Sequence, residues 1–171
     1  MNYDLIICEG SDCAGKTSLI NLLSSTLNFQ VIKGSSFELS QCDNTELFSR
    51  FKEMTKERMV VFDRFIYSNE VYAQLYDDFA ILTDEQRREI ESDISSRALL
   101  VYLEADIDVL TSRMNNRGDD YVTVDRLQSI KDKYEESLNK ITLDHIRINT
   151  SSLTKEQILN KVLSEVVWWN G

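Results

Sequence analysis

The sequence contains no proline, and it has few cations for its length of 171 residues. The 19 lysines and arginines stand against 29 aspartates and glutamates, which gives a net charge of −10. Proteins that bind DNA or RNA usually carry an excess of basic residues, because the nucleic-acid backbone is an array of phosphates. The charge therefore argues against a nucleic-acid partner. A local basic site for a small anion would stand out against this acidic background.

The sequence also lacks a long apolar run, and none approaches the roughly 20 residues that a membrane-spanning helix needs. Residues 1–4 include no basic residue, so we predict no secretory signal. The three cysteines, Cys8, Cys13 and Cys42, are odd in number and do not have the spacing of a metal site. Together these absences favour a reducing, cytoplasmic location and no contact with a membrane.

Strand and helix patterns alternate along the chain. Short apolar runs predict five strands, at residues 5–8, 29–33, 59–62, 98–103 and 145–149, and the first is apolar on both faces, as a buried parallel strand is. Apolar residues at helical spacing predict helices at residues 16–27, 44–56, 64–76, 83–95, 107–114, 122–140 and 153–169. Thr83 and Gln86 have the spacing of a capping box at the start of one of them. The alternation predicts one α/β domain over residues 1–171, a five-stranded parallel sheet flanked by helices in three layers.

Residues 9–17, which read EGSDCAGKT, directly follow the first predicted strand. Their spacing G-x-x-x-x-G-K-T is that of a Walker A loop, whose backbone N–H groups surround phosphates. The helix that follows would add the positive end of its dipole. We expect Lys16 to reach the β- and γ-phosphates of ATP, and the Thr17 hydroxyl to bind Mg²⁺. The predicted ATP-binding residues are Gly10, Ser11, Asp12, Cys13, Ala14, Gly15, Lys16, Thr17 and Ser18.

Asp63 and Arg64 follow the third predicted strand, at its carboxyl end. Ligands of open α/β sheets bind at these ends, so both residues should face the same crevice as the Walker loop. Asp63 would bind Mg²⁺ or orient the attacking oxygen. Arg64 would hold a second phosphate in a bidentate contact. The alternative is a surface ion pair at the end of a strand.

Arg113 and Arg117 are four residues apart on one predicted helix and therefore share a face. Phosphoryl transfer needs positive charge around the moving γ-phosphoryl group, and arginines often supply it. Residues 113–121 are therefore a candidate lid, with a solvated helix end as the alternative. The predicted catalytic residues are Lys16, Asp63, Arg64, Arg113 and Arg117.

These motifs resemble those of thymidylate kinases, which are P-loop nucleoside monophosphate kinases. EGSDCAGKT resembles the family's E-G-x-D-x-A-G-K-T, and DRFIYS at residues 63–68 resembles its D-R-Y-x-x-S. LFSRFK at residues 47–52 is similar to its L-F-x-A-x-R, and Arg113 and Arg117 match its lid R-x-x-x-R. The resemblance covers most of the chain in order. It implies a compact P-loop NTPase fold, ATP as phosphoryl donor, Mg²⁺ as cofactor and a homodimer.

The resemblance also implies how the sugar and phosphate of the acceptor are held. Asp12 would bind the 3′-hydroxyl group and Arg64 the 5′-phosphate. Tyr72 would lie under the sugar, in the place that a 2′-hydroxyl group would occupy. An acceptor with a deoxyribose follows from that position.

For the acceptor base, the resemblance implies stacking on Phe48, with Ser68 nearby and Lys52 in place of the family's base-reading arginine. Residues 33–36, KGSS, stand where the family has R-E-P-G, which is the one turn where a proline is expected and missing. The glutamine that follows the family's aromatic residue is displaced by one position, to Gln74. All these departures lie near the acceptor base, so the identity of that base stays open.

The leading prediction is phosphoryl transfer from ATP to a deoxynucleoside monophosphate, with dTMP as the first candidate. A deoxynucleoside kinase is the close alternative. Such kinases usually carry a glutamate at the end of the second strand as general base, and Glu38 is the only nearby candidate. A GTPase would show N-K-x-D and D-x-x-G motifs, but residues 139–142 read NKIT and no D-x-x-G follows the third strand.

Overall fold

The computed structural model of the protein describes residues 3–117 and 123–166. Five strands form its sheet: β1 Leu5–Gly10, β2 Gln30–Lys33, β3 Val60–Asp63, β4 Ala98–Glu104 and β5 Asp144–Asn149. The helices within these ranges are α1 Lys16–Leu27, α2 Phe37–Ser40, α3 Asn44–Met54, α4 Ile66–Ala73, α5 Asp84–Ile94, α6 Ile107–Arg117, α7 Val124–Leu138 and α8 Lys155–Val166.

The strands are parallel and have the order β2-β3-β1-β4-β5. The predicted five-stranded parallel sheet flanked by helices is therefore confirmed. β1 is buried at every position because helices cover both faces of the sheet, which explains why its sequence is apolar without alternation. The edge strands β2 and β5 are mostly exposed, and their sequences are correspondingly more polar.

Side chains of β1 alternate between two apolar layers, as the pleat of a strand requires. Ile7 belongs to the layer that packs against α3, α4, α5 and α7. Ile6 and Cys8 belong to the layer that packs against α1, α6 and α8. The sheet thus forms the middle of three layers, and its carboxyl edge carries the loops that build the site.

Several helix ends differ from the prediction by one to three residues, and two differences bear on the site. The short helix α2 was not predicted; the Ser36 hydroxyl caps it by accepting a hydrogen bond from the Leu39 N–H. α4 begins at Ile66 rather than residue 64, because Arg64 has a left-handed backbone with φ of 65°. The capping box of α5 is confirmed, since the side chains of Thr83 and Gln86 each accept from the other's backbone N–H.

Parts of three predicted segments lie outside the described residues: 118–121 of the candidate lid, residue 122 of the following helix, and 167–169 of the last helix. Among the helices that the structure describes, none is long and apolar enough to cross a membrane.

Candidate active site

A cavity of about 990 Å³ opens beside the Walker loop at the carboxyl edge of the sheet, and we call it the donor cavity. Residues 12–18 of the predicted ATP-binding set line it. Gly10 and Ser11 do not line it but lie under the loop. Gly10 packs directly against β4, where an added Cβ would lie 2.2 Å from the Leu103 carbonyl oxygen. Gly15 has φ of 102°, a conformation that favours glycine.

Lys16 is almost completely buried, with 8% of its surface exposed. Its ammonium group donates hydrogen bonds of 2.8 Å to the Gly10 carbonyl and 2.7 Å to the Ser11 carbonyl. Burial lowers the pKa of Lys16 to about 7, and the positive charge of Arg64 acts in the same direction. Anionic phosphates in the cavity would favour the charged form and oppose this shift.

The structure brings Arg113 and Arg117 together at the Walker loop, as the shared helix face predicts. Arg113 donates hydrogen bonds to the Cys13 carbonyl at 3.2 Å and to the Thr150 hydroxyl at 3.1 Å. Arg117 Nη1 lies 3.5 Å from the Cys13 sulfur. Both arginines line the donor cavity, so both could contact a bound triphosphate.

Thr150 follows β5 and was not predicted as a site residue. Its hydroxyl donates to the Ala14 carbonyl at 3.0 Å, and its own carbonyl accepts a 2.8 Å hydrogen bond from Arg113. Thr150 therefore connects α6 to the Walker loop. The signal that could have found it is its position directly after the carboxyl end of a strand.

The two predicted metal ligands, Thr17 and Asp63, both line the donor cavity. Within residues 3–117 and 123–166, no hydrogen bond engages the Asp63 carboxylate. No group of three or more acidic, histidine or cysteine side chains in these ranges could hold a metal. A hydroxyl and one carboxylate nevertheless fit Mg²⁺, which usually takes one or two protein ligands together with phosphates and water.

A second cavity of about 330 Å³ adjoins the first, and we call it the acceptor cavity. Three residues line both cavities: Asp12, Asp63 and Arg64. Ser68 and Tyr72 line the acceptor cavity as well. Four of the six predicted acceptor residues, Asp12, Arg64, Ser68 and Tyr72, are therefore brought together.

Arg64 lies at the boundary between the cavities, with 17% of its side chain exposed. One guanidinium nitrogen, Nη2, donates a 2.8 Å hydrogen bond to Asp12, and the other, Nη1, donates to the Gly10 carbonyl at 3.2 Å. The guanidinium carbon lies 5.0 Å from the centre of the Tyr72 ring. The Tyr72 hydroxyl in turn donates to the second oxygen of Asp12 at 3.3 Å.

The structure does not bring Phe48 and Lys52 to the acceptor cavity, since neither residue lines it. Lys52 forms ion pairs with Glu89 at 2.8 Å and Asp93 at 2.5 Å, both on α5. Phe48 packs against the apolar layer on the same side, with the Lys52 ammonium 6.0 Å from its ring centre. This face of α3 is directed at α5, and not at the site.

Three other aromatic rings line the acceptor cavity instead: Phe37, Tyr76 and Phe79. Phe37 makes edge contacts with the other two rings, at centroid distances of 6.1 Å and 5.3 Å. It is 49% exposed, the largest exposed fraction among the bulky apolar residues that the structure describes. These rings offer a planar base the apolar surface that Phe48 was expected to provide.

Comparison with known proteins supports a kinase site. A family model for deoxynucleoside kinases matches residues 34–168. The SPbeta prophage-derived protein YorR of Bacillus subtilis is 39% identical over 159 residues, covering 93% of this chain and 96% of YorR. The crystal structure of YorR, in complex with phosphorylated GDP, superposes with a TM-score of 0.91 at 39% identity, covering 95% of each chain.

Two more distant proteins, both kinases by name, are also similar to this chain. A probable thymidylate kinase of Methanococcus aeolicus is 25% identical over 191 residues, and the similar region covers 95% of this chain and 95% of that protein. The structure of a deoxyadenosine kinase from M. mycoides with bound dCTP has a TM-score of 0.61 at 16% identity, covering 95% of this chain and 98% of that one. The latter similarity shows the shared fold. With the family model matching most of its length, the chain belongs to the deoxynucleoside kinase family.

Proposed function

We propose that the protein transfers the γ-phosphoryl group of ATP to the 5′-phosphate of a 2′-deoxynucleoside monophosphate. The observation that carries this proposal is the shared wall of the two cavities, made of Asp12, Asp63 and Arg64. A phosphoryl group that passes from a donor in one cavity to an acceptor in the other has to move past these three residues. It would do so beside a cation and a carboxylate with no hydrogen-bond partner in the described part of the chain.

The two cations of the acceptor cavity support a monophosphate acceptor. A hydroxyl group must lose its proton to attack, which calls for a nearby general base. A phosphate oxygen is already ionised near neutral pH and calls for a cation instead. Arg64 and Lys33 both line the acceptor cavity. The carboxylates of Asp12, Asp63 and Glu38 line it too, and Glu38, the general-base candidate of the alternative, is exposed.

On the donor side, Lys16, Arg113 and Arg117 would bind the triphosphate and stabilise the charge that develops during transfer. Thr17 and Asp63 would hold Mg²⁺, which supplies positive charge at the bridging phosphate oxygens when the nucleotide is bound. On the acceptor side, Asp12 would accept a hydrogen bond from the 3′-hydroxyl group. Tyr72 would close the space next to C2′.

The acceptor base is the open part of the proposal. Similarity to the probable thymidylate kinase of M. aeolicus supports dTMP as the first candidate. The complex of YorR with phosphorylated GDP supports adding guanine nucleotides to the same assay. Location in the cytoplasm and assembly as a homodimer stay predictions. Light scattering of the purified protein would measure its oligomeric state.

A deoxynucleoside kinase is the second candidate function. The family match favours it, and the Asp63 carboxylate is placed where a general base could act. One experiment separates the two candidates. ADP formation is measured with dTMP, dGMP, thymidine, deoxyguanosine and no acceptor, and the products are identified by mass spectrometry. Diphosphate products support the proposal, monophosphate products support the second candidate, and ADP without any acceptor contradicts both.

A further inference from the structure

A buried polar cluster lies directly under Arg64, and it consists of Glu9, Ser68 and Tyr134. All three residues are at most 1% exposed. They come from β1, α4 and α7, which are far apart in the sequence. Burying a carboxylate and two hydroxyl groups is unfavourable unless each finds partners, so the contacts within the cluster decide what it can do.

Glu9 accepts hydrogen bonds at both of its carboxylate oxygens. One oxygen accepts from the backbone N–H groups of Phe65 at 2.8 Å and Ser68 at 3.1 Å. It thereby caps the start of α4, where Phe65 provides no side-chain cap of its own. The other oxygen accepts from the Ser68 hydroxyl and from the Tyr134 hydroxyl, the latter at 3.1 Å. Burial raises the pKa of Glu9, whereas the hydrogen bonds from Ser68 and Phe65 and the positive charge of Arg64 act in the opposite direction and favour the ionised carboxylate.

The two hydroxyl groups also contact Arg64. Its Nη1 nitrogen lies 3.2 Å from the Ser68 hydroxyl oxygen and 3.1 Å from that of Tyr134. The two hydroxyl oxygens also lie 2.8 Å from each other, so one hydroxyl donates to Glu9 and the other donates either to Glu9 or to the first hydroxyl. In both cases lone pairs remain for the guanidinium group. The negative charge of Glu9 therefore reaches Arg64 through two polarised hydroxyl groups, which strengthens both sets of hydrogen bonds.

We propose that Tyr134 is a positioning residue for the acceptor: its hydroxyl group, polarised by Glu9, fixes the direction in which Arg64 faces the acceptor cavity. This rests on the proposed role of Arg64 in binding the acceptor phosphate. Arg64 has a long side chain with several rotatable bonds, and a bidentate contact needs its planar group in one orientation. Tyr134 belongs to α7, which carries none of the predicted catalytic residues.

The test compares two tyrosines that differ in one respect. Tyr134→Phe removes the hydroxyl that contacts Arg64, and Tyr102→Phe removes an equally buried hydroxyl with no hydrogen-bond partner in the described residues. The two rings lie 5.3 Å apart, so the packing changes are closely matched. We expect Tyr134→Phe to raise the KM of the nucleotide acceptor about fivefold to tenfold, and to leave the KM of ATP within about twofold. Tyr102→Phe should change neither.

A second measurement asks whether Tyr134 acts through Arg64. In an Arg64→Ala background, Tyr134→Phe should have no further effect on the acceptor KM. The changes in thermal midpoint of the same proteins, measured without substrate, should be non-additive for the Arg64 and Tyr134 substitutions and additive for the Arg64 and Tyr102 substitutions.

Additive changes in thermal midpoint for the Arg64 and Tyr134 substitutions would overturn the inference whatever the acceptor is. So would equal KM effects of the two tyrosine variants. A wild-type protein that phosphorylates no acceptor would instead contradict the proposed function.

Discussion

The guanidinium group of Arg64 and the carboxylate of Asp12 form an ion pair of 2.8 Å at the boundary between the donor and acceptor cavities. The two residues are 52 positions apart, at the ends of neighbouring strands. In this pair, the Asp12 carboxylate binds the Arg64 guanidinium group, which is the cation that would bind an acceptor phosphate. An acceptor that brings both a 5′-phosphate and a 3′-hydroxyl group offers a new partner to each member of the pair.

Arg64→Ala should weaken acceptor binding much more than ATP binding, because the lost contact is a charged hydrogen bond to the acceptor phosphate. We expect a loss of about 1.5–3 kcal/mol in kcat/KM for the acceptor. Arg88→Ala is the control, since Arg88 is an exposed arginine whose ion pair is with Glu85 on the same helix. Equal effects of Arg64→Ala on both substrates would place Arg64 elsewhere in the reaction.

Lys16→Ala should reduce turnover to less than about a tenth of the wild-type value, because the ammonium group would lie beside the phosphates that carry the developing charge. The structure buries Lys16 against two carbonyl groups. Some loss of stability is therefore expected, and the thermal midpoint is measured alongside turnover. Lys56→Ala, an exposed lysine, serves as the control. Turnover near the control value would contradict the Walker loop assignment.

Tyr72 is predicted to exclude ribonucleotides. An acceptor with a 2′-hydroxyl group would have to bury it against the ring without a partner, which costs about 1–3 kcal/mol. We expect the wild type to prefer dTMP over its ribonucleotide counterpart by about tenfold to a hundredfold in kcat/KM. Tyr72→Ala should narrow this preference, and Tyr72→Phe should keep it because the ring remains. If Tyr72→Ala retains the full preference, the ring has only a packing role.

Phe37 is predicted to contribute to binding of the acceptor base. Stacking of a base on an aromatic ring is worth about 1–3 kcal/mol, so Phe37→Ala should reduce kcat/KM for the nucleotide about tenfold. The matched substrate is 2-deoxyribose 5-phosphate, which has no base and should be unaffected by the change. Val31→Ala, another exposed apolar residue, is the protein control. An equal loss for both acceptors would show that Phe37 supports the fold instead of the base.

Asp4 provides a prediction about stability and pH. Its carboxylate accepts hydrogen bonds from Arg58 at 2.8 Å and Arg97 at 2.7 Å. Burial raises the pKa of Asp4, but the two arginines together outweigh it and hold this pKa below its usual value. The ionised group therefore stabilises the fold above about pH 4, and this contribution is lost as the pH falls through the folded-state pKa.

Asp4→Asn should accordingly lower the free energy of unfolding at pH 7 by about 1 kcal/mol. The difference from the wild type should shrink below about pH 4, where Asp4 becomes protonated first in the unfolded chain and only at lower pH in the folded protein. Urea unfolding of both proteins at several pH values measures this difference in the free energy of unfolding. Asp78→Asn, at an exposed aspartate, should show no such difference. A gap between wild type and Asp4→Asn that is constant with pH would rule out the ion pair as its cause.

The parts of the fold that the sequence predicted are those set by local pattern. β1 could be recognised because both of its faces are apolar, and the Walker loop because its residues are contiguous. The position of Phe48 and Lys52 away from the acceptor cavity has a tertiary cause. They are four residues apart and share a helix face, but only the packing of α3 against α5 determines where that face points.

Residues that meet only in the fold left no signal in the sequence. Phe37 and Phe79 come from two separate segments, so no periodicity connects them. Glu9 and Tyr134 are 125 residues apart, and their contact depends on how α7 crosses β1 and α4. Glu9 was visible as a member of the loop motif, yet its role as a buried cap for α4 required the structure.

The wall shared by the two cavities has a thermodynamic consequence. Since Asp12, Asp63 and Arg64 belong to both cavities, each substrate changes the electrostatic environment of the other, and their binding free energies cannot be independent. Whatever factor ATP imposes on the dissociation constant of the acceptor, the acceptor must impose the same factor on ATP.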